Sequence, residues 1–229
     1  MVSTKSHRGV VLVSFILALL CGSLICISLV SNHWVESKPW RKSDPQTSSG
    51  RVYFGLLYGK KELNVAFGVR LHDIVVSDMI HREPELMSWS LWCTTLVSTV
   101  LALLLAGLTA FLSVINSVIT PNHVIFSITG IYLTNIISFL MCAASTATWL
   151  IQFQTKLNEN LLLVEDLENS WTSRGASKIG FSFWLVFAAG IIHVVSVILI
   201  KWSTIKRRQK SRKPLTDLEE KSTGVIMLY

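Results

Sequence analysis

The residues of this chain that are able to carry chemistry are few, and their spacing matches none of the common catalytic or metal-binding patterns. The four cysteines and six histidines form no Cys-x-x-Cys pair and no His-x-x-x-His pair, and no Gly-x-Ser-x-Gly sequence occurs. Redox enzymes, metal enzymes and serine hydrolases depend on such groupings. The sequence therefore predicts a protein that is not an enzyme and that has no metal, no cofactor and no small-molecule substrate site.

One histidine, His193, stands apart because no Asp, Glu, Lys or Arg lies near it from Ile179 to Ile200. An ionisable group inside an apolar helix is often a proton or ligand site. Asn135 lies in another uncharged run and is expected at a similar depth. A hydrogen bond between two helices is therefore the alternative interpretation, and we favour this structural role for His193 and Asn135.

The composition is typical of a membrane protein. Hydrophobic residues make up 51% of the chain and charged residues 15%, and no Asp, Glu, Lys or Arg occurs from Leu86 to Thr155. About 20 residues cross the hydrocarbon of a bilayer, so this run holds two spans, and Pro121 marks the turn between them. One further uncharged run lies near each end of the chain. We predict an all-α membrane protein with a bundle of four transmembrane helices, at residues 9–31, 88–115, 125–151 and 179–200.

The first apolar run has an alternative interpretation as a cleaved signal peptide, because Lys5 and Arg8 precede it. Signal peptides have an apolar region of about 7 to 15 residues and a cleavage site flanked by small residues. The run here is longer, and no good cleavage site precedes Asn32. We expect it to be retained as the first span.

The distribution of charge predicts the orientation. With four spans, residues 1–8, 116–124 and 201–229 share one side of the membrane and together carry the whole net charge of +7. The charges of the two opposite segments, 32–87 and 152–178, sum to zero. Because positive loops stay in the cytosol, we predict cytosolic N- and C-termini, two extracellular segments and a multi-pass protein of the plasma membrane.

A basic cluster follows the fourth span and explains the pI of about 9.4 without a nucleic-acid partner. Basic residues directly after an apolar helix fix its orientation. They also attract anionic lipids of the inner leaflet, with about 1 kcal/mol for each basic residue near the surface. The residues predicted to contact these lipids are Lys206, Arg207, Arg208, Lys210, Arg212 and Lys213.

Two residue types predict how the helix surfaces are used. Tryptophans gather at membrane interfaces, which predicts an aromatic belt. Its predicted members are Trp34, Trp89, Trp92, Trp149 and Trp184 at the outer ends of the spans and Trp202 at the inner end. Small residues spaced by four allow helices to approach closely. This spacing predicts packing faces at Ala102, Ala106 and Ala110 of the second span and at Ala143 and Ala147 of the third.

The first outer segment is predicted to contain a small β-hairpin or sheet. Two apolar, β-branched and aromatic runs, at 51–59 and 64–71, flank a charged turn at residues 60–62. A flexible excursion is expected from Lys38 to Gly50, and a short helix from Leu71 to Ile80. In the second outer segment, Thr155 to Asn169 has a helical composition and is expected to extend the third span.

The chain ends in apolar residues after a polar tail. An apolar C-terminus resembles the ligands of PDZ domains, which capture the terminal carboxylate and add the peptide to a sheet as a strand. Met227, Leu228 and Tyr229 are therefore predicted to bind a cytosolic adaptor of the PDZ or cytoskeletal type.

Four spans, cytosolic ends and a larger first outer segment resemble the claudin-type tetraspan group. Trp34 and Gly55-Leu56 match the outer signature of that group, whereas Leu57 replaces its second Trp and its two cysteines are missing. The chain is more similar to the clarin family over nearly its whole length. The elements that carry this resemblance are Tyr53–Gly59, Ile128–Tyr132, Ser182–Trp184 and the terminal Leu228-Tyr229.

The resemblance implies a non-enzymatic membrane organiser, and the best-known clarins serve the perception of sound in hair cells. We therefore expect a scaffold or auxiliary subunit whose partners are the lipid bilayer, other membrane proteins held laterally and cytosolic adaptors. A claudin-like adhesion or pore-forming module is the alternative. A transporter of small solutes is a further alternative.

Overall fold

The computed structural model describes residues 2–43, 49–64, 68–118 and 127–226. The helices are α1 (Val2–Val30), α2 (Val76–Arg82), α3 (Trp89–Val118), α4 (Ile128–Gln152), α5 (Val164–Glu168) and α6 (Phe181–Ile226), and a π-helical turn, Phe153–Leu157, follows α4. The strands are β1 (Val35–Ser37), β2 (Trp40–Arg41), β3 (Gly50–Phe54), β4 (Tyr58–Asn64), β5 (Val69–Val75), β6 (Trp171–Thr172) and β7 (Ser177–Ile179).

Four helices of the described chain are long and apolar enough to cross a bilayer. The candidate spans run over Gly9–Val30, Trp89–Val118, Ile128–Leu157 and Phe181–Lys206. At about 1.5 Å of rise per residue, each is long enough to cross about 30 Å of hydrocarbon. The protein is thus a multi-pass, tetraspan membrane protein of claudin-like fold.

The four long helices form a ring in which each contacts two neighbours. Both α3 and α6 pack against α1 and against α4. Ala102 and Ala106 of α3 are fully buried, as their spacing predicts. The prediction for the third span was wrong, because Ala147 is exposed and Ala143 only half-buried. The face of α4 that packs into the bundle instead carries Ser and Cys side chains, at Ser138, Cys142 and Ser145.

An antiparallel sheet covers the outer end of the bundle. Its strand order is β5-β4-β3-β1-β7, and β2 pairs separately with β6. Since β7 and β6 belong to the second outer segment, this small sheet is built from both segments. The predicted turn at residues 60–62 was wrong, because these residues form the middle of β4 and pair with both β3 and β5. Lys60 and Glu62 alternate with the buried Gly59 and Leu63, so their charge marks the outer face of a strand.

Three other local predictions change. Leu71 to Val75 belongs to β5, and the helix starts only at Val76. Part of the excursion from Lys38 to Gly50 is ordered as β2, while residues 44–48 lie outside the described residues. The predicted extension of the third span ends at Leu157, and α5 is a separate helix.

At its C-terminal end, α6 continues beyond the predicted span as far as Ile226 and carries the whole basic cluster on its extension. Of the turn predicted at residues 116–124, residues 116–118 belong to α3 and the rest lie outside the described residues. The predicted adaptor-binding residues Met227, Leu228 and Tyr229 also lie outside them.

Candidate functional site

The sheet and the bundle meet at Trp34, which follows α1 and is fully buried. Its indole N–H donates to the Ser28 carbonyl at 2.9 Å, and its backbone N–H donates to the Phe54 carbonyl at 2.8 Å. Its ring meets the Trp149 ring edge to face at 5.1 Å between centroids. Trp34 therefore joins α1, β3 and α4 in the interior and does not belong to a lipid-facing belt.

Gly55 and Leu56 press the loop after β3 onto the helix ends. A Cβ at Gly55 would overlap the Ser31 carbonyl oxygen, so only glycine fits there. Leu56 is fully buried, and its carbonyl accepts the indole N–H of Trp92 at 2.9 Å. The match to the claudin-type signature thus marks residues that attach the sheet to α1 and α3.

The start of α6 is attached to the same place. The Gly180 N–H donates to the Trp34 carbonyl at 3.0 Å, and the Ser182 N–H donates to the His33 carbonyl at 3.1 Å. The Ser28 hydroxyl donates to the Ser182 carbonyl at 2.7 Å. We call Trp34, Gly55, Leu56, Gly180 and Ser182 the outer junction. It joins all four long helices to the sheet.

The second outer segment is tied to the sheet by an ion pair. The Lys61 Nζ lies 2.7 Å from Asp166 Oδ2 and 2.9 Å from Oδ1. The exposed fractions of the two side chains are 13% and 8%. A shielded pair with two hydrogen bonds restricts geometry strongly, so α5 is held beneath β4.

The opposite face of the sheet is exposed and mixed in character. Partial burial, together with the Glu62 carboxylate, raises the pKa of the Tyr53 phenol, which donates to Glu62 at 3.3 Å.

At the β4–β5 end of this face, three apolar side chains are open to solvent. Tyr58, Leu71 and Val75 have exposed fractions of 58%, 59% and 43%. Tyr58 pairs directly with Val75, and the Lys60–Asp73 pair separates them from Leu71 on the same face. We call Tyr58, Leu71 and Val75 the edge patch.

The structure brings His193 and Asn135 together inside the bundle. His193 Nδ1 lies 2.9 Å from Asn135 Oδ1, and both side chains are buried. The Asn135 amide nitrogen donates to the Ile131 carbonyl at 2.7 Å, which directs Oδ1 towards the histidine. Nδ1 therefore carries the proton, because an amide oxygen only accepts. This geometry suits a bond that joins α4 to α6.

Sequence reasoning missed a row of hydroxyl pairs between α3 and α4. Thr95 lies 2.8 Å from Thr148, Thr99 lies 2.7 Å from Ser145, and Thr109 donates to Thr134 at 2.8 Å. The signal in the sequence is Thr and Ser spaced by three or four in parts of both spans, as at Thr95 and Thr99 of α3 and Ser145 and Thr148 of α4. Within the described part of the chain, no three His, Cys, Asp or Glu side chains are grouped so that they could hold a metal ion.

The predicted aromatic belt was wrong for half of its members. Like Trp34, Trp92 and Trp149 are buried, whereas Trp89, Trp184 and Trp202 are exposed. At the inner end of α6, the Lys206 Nζ lies 5.2 Å from the centre of the Trp202 ring. Trp202 thus takes the position expected of an interfacial tryptophan. The other five basic residues of the cluster follow Lys206 on the same helix.

Comparison with known proteins finds one relevant likeness. The chain is 24% identical to Clarin-3 of Homo sapiens over 201 residues, which cover 84% of this chain and 86% of that protein. No family model matches the chain. The likeness to Clarin-3 and the four apolar helices together support a clarin-like tetraspan protein.

Proposed function

We propose that this protein is a non-enzymatic scaffold or auxiliary subunit of the plasma membrane, which binds other membrane proteins laterally through its edge patch. The observation that carries the proposal is the exposure of Leu71 and Val75 on the edge strand β5 and of Tyr58 on the neighbouring β4. Exposed apolar residues grouped at a sheet edge are typical of an interaction surface, because an isolated protein gains nothing from them.

The position and support of the edge patch favour a lateral partner. The strand order places β5 at the opposite end of the sheet from β7, which leads into α6 at the outer junction. The edge patch therefore lies away from the β7 end of the sheet. The outer junction and the Lys61–Asp166 pair hold the sheet rigidly, and a rigid surface loses little conformational entropy when it binds.

The orientation and the family assignment are parts of the same proposal. The net charge on the inner segments supports cytosolic termini, with the C-terminal residues free to recruit an adaptor. The likeness to Clarin-3, the absence of cysteines from the outer segments and the long basic tail favour the third clarin paralogue. A role in the perception of sound is proposed from the clarin resemblance alone.

Leu71→Lys is expected to remove lateral partners without affecting folding. The substitution replaces an apolar member of the edge patch with a charged residue and should weaken binding by about tenfold or more. Because Leu71 is exposed, surface expression should stay within error of wild type. The measurement is proximity labelling in native tissue, with the labelling enzyme fused after Tyr229 and with Leu167→Lys, another exposed leucine, as the matched control.

Membrane proteins that are labelled in cells with the wild type and with Leu167→Lys should be labelled less in cells with Leu71→Lys. A chain that lacks residues 226–229 should keep these membrane proteins and lose cytosolic adaptors. Equal membrane partners for both lysine variants would show that the edge patch is not the binding surface. Retention of every cytosolic protein by the shortened chain would exclude the tail as a ligand.

A further inference from the structure

We propose that the inner ends of α1 and α6 form a binding site for one anionic glycerophospholipid. A groove of about 250 Å³ lies between these helices. Gly9, Val10 and Val13 line it from α1, and Leu199, Trp202, Ser203 and Lys206 line it from α6. This inference uses the bundle geometry and does not depend on the scaffold role.

The walls of the groove are formed by one face of α1 and one face of α6. Leu199, Trp202, Ser203 and Lys206 are spaced by three and four, which places them along a single stripe of α6. On α1, Gly9 and Val13 are likewise one turn apart. A Cβ at Gly9 would meet no heavy atom of the described chain within 4 Å, so the missing side chain leaves the groove open.

The chemistry changes along the groove as it does along a phospholipid. Val10, Val13 and Leu199 offer an apolar floor for the upper part of an acyl chain. Ser203 and Lys206 lie one turn and two turns beyond Leu199 and offer a hydroxyl and an ammonium group. Ammonium and hydroxyl donors bind phosphate oxygens strongly, and the charge assists the bond.

The position of the groove along the two helices fits a phospholipid. Gly9 begins the first charge-free run directly after Arg8, and Lys206 lies six residues beyond Ile200, where the fourth charge-free run ends. The site therefore lies where hydrocarbon gives way to headgroups. The Lys206 ammonium is held 5.2 Å from the centre of the Trp202 ring, which places a cation at this level. A zwitterionic headgroup would bring its own cation next to this ammonium together with its phosphate, so charge complementarity favours an anionic headgroup.

The test measures retained phosphatidylserine by native mass spectrometry, after release of the full-length protein from nanodiscs that contain equal amounts of phosphatidylserine and phosphatidylcholine. Both leaflets carry both lipids, so the result does not depend on the orientation in cells. Wild type should retain one phosphatidylserine with a preference of about fivefold, the factor expected for one cation near an anionic lipid. Gly9→Leu should abolish this retention by filling the groove.

Gly107→Leu is the matched control, because Gly107 is also a helical glycine with open space around it, on a lipid-facing part of α3. It should retain phosphatidylserine like wild type. Lys206→Gln should remove the preference over phosphatidylcholine while leaving the fold intact. A variant in which Gln replaces the five basic residues from Arg207 to Lys213 should keep the bound lipid. The proposal is overturned if Gly9→Leu and Gly107→Leu retain equal amounts, or if retention is lost only when those five residues are neutral.

Discussion

Gly180→Ala is expected to destabilise the folded protein by at least about 3 kcal/mol and to lower its melting temperature in detergent by roughly 10 °C. A Cβ at this position would overlap the His33 carbonyl group, which is backbone and has no rotamer to escape into. The Gly180 N–H also donates to the Trp34 carbonyl at 3.0 Å. Relief of the overlap must therefore separate α6 from β1 and open the outer junction.

The control for this prediction is the same substitution at Gly107. A Cβ there would meet no heavy atom of the described chain within 4 Å. Alanine favours a helix over glycine by about 1 kcal/mol, so Gly107→Ala should leave the melting temperature unchanged or raise it slightly. Equal melting temperatures for the two variants would mean that the outer junction is not as tight as the structure describes.

Asp166→Ala is the second substitution for which we expect a large effect. It should lower the free energy of unfolding by about 3 kcal/mol. The substitution leaves the Lys61 side chain, of which only 13% is exposed, without the carboxylate that its ammonium contacts at 2.7 Å. A shielded charge that loses its partner keeps its desolvation cost and gains nothing in return. The double variant Lys61→Met with Asp166→Leu removes both charges, so most of the stability should return.

The neighbouring pair Lys60 and Asp73 supplies the control on the other face of the same strand. Its closest atoms are 3.9 Å apart, and its side chains are 42% and 77% exposed. Asp73→Ala should therefore change stability by less than about 1 kcal/mol. Thermal unfolding of the single and double variants of both pairs measures the two coupling energies. A coupling at Lys61–Asp166 as small as that at Lys60–Asp73 would contradict the proposed link between the outer segments.

The crossings of the bilayer were predictable because they depend on local composition. A charge-free run such as that around His193 has few alternatives to a membrane helix, whatever the rest of the chain does. The contact between His193 and Asn135 could also be anticipated, since depth in a bundle follows from distance to the helix end. The hydroxyl pairs between α3 and α4 were not foreseen, because Thr and Ser are also common in spans that do not pair.

The outer sheet was harder to predict because its register is set by distant partners. Lys60 to Glu62 has the composition of a turn, and only the pairing of β4 with both neighbours turns Lys60 and Glu62 outwards and Lys61 towards Asp166. Trp34 has the composition of an interfacial residue, yet contacts from three elements bury it. Nothing local shows that Gly55 and Gly180 must be glycine, since the atoms that exclude a Cβ belong to residues 31–33.

The central claim is that the chain crosses the bilayer four times, with the outer sheet outside the cell and the basic extension of α6 in the cytosol. An epitope tag placed after Tyr229 tests it most directly, by antibody staining of cells before and after their membranes are permeabilised. The account predicts staining only after permeabilisation. Equal staining of intact cells would place the basic extension outside and contradict the orientation on which the proposed partners depend.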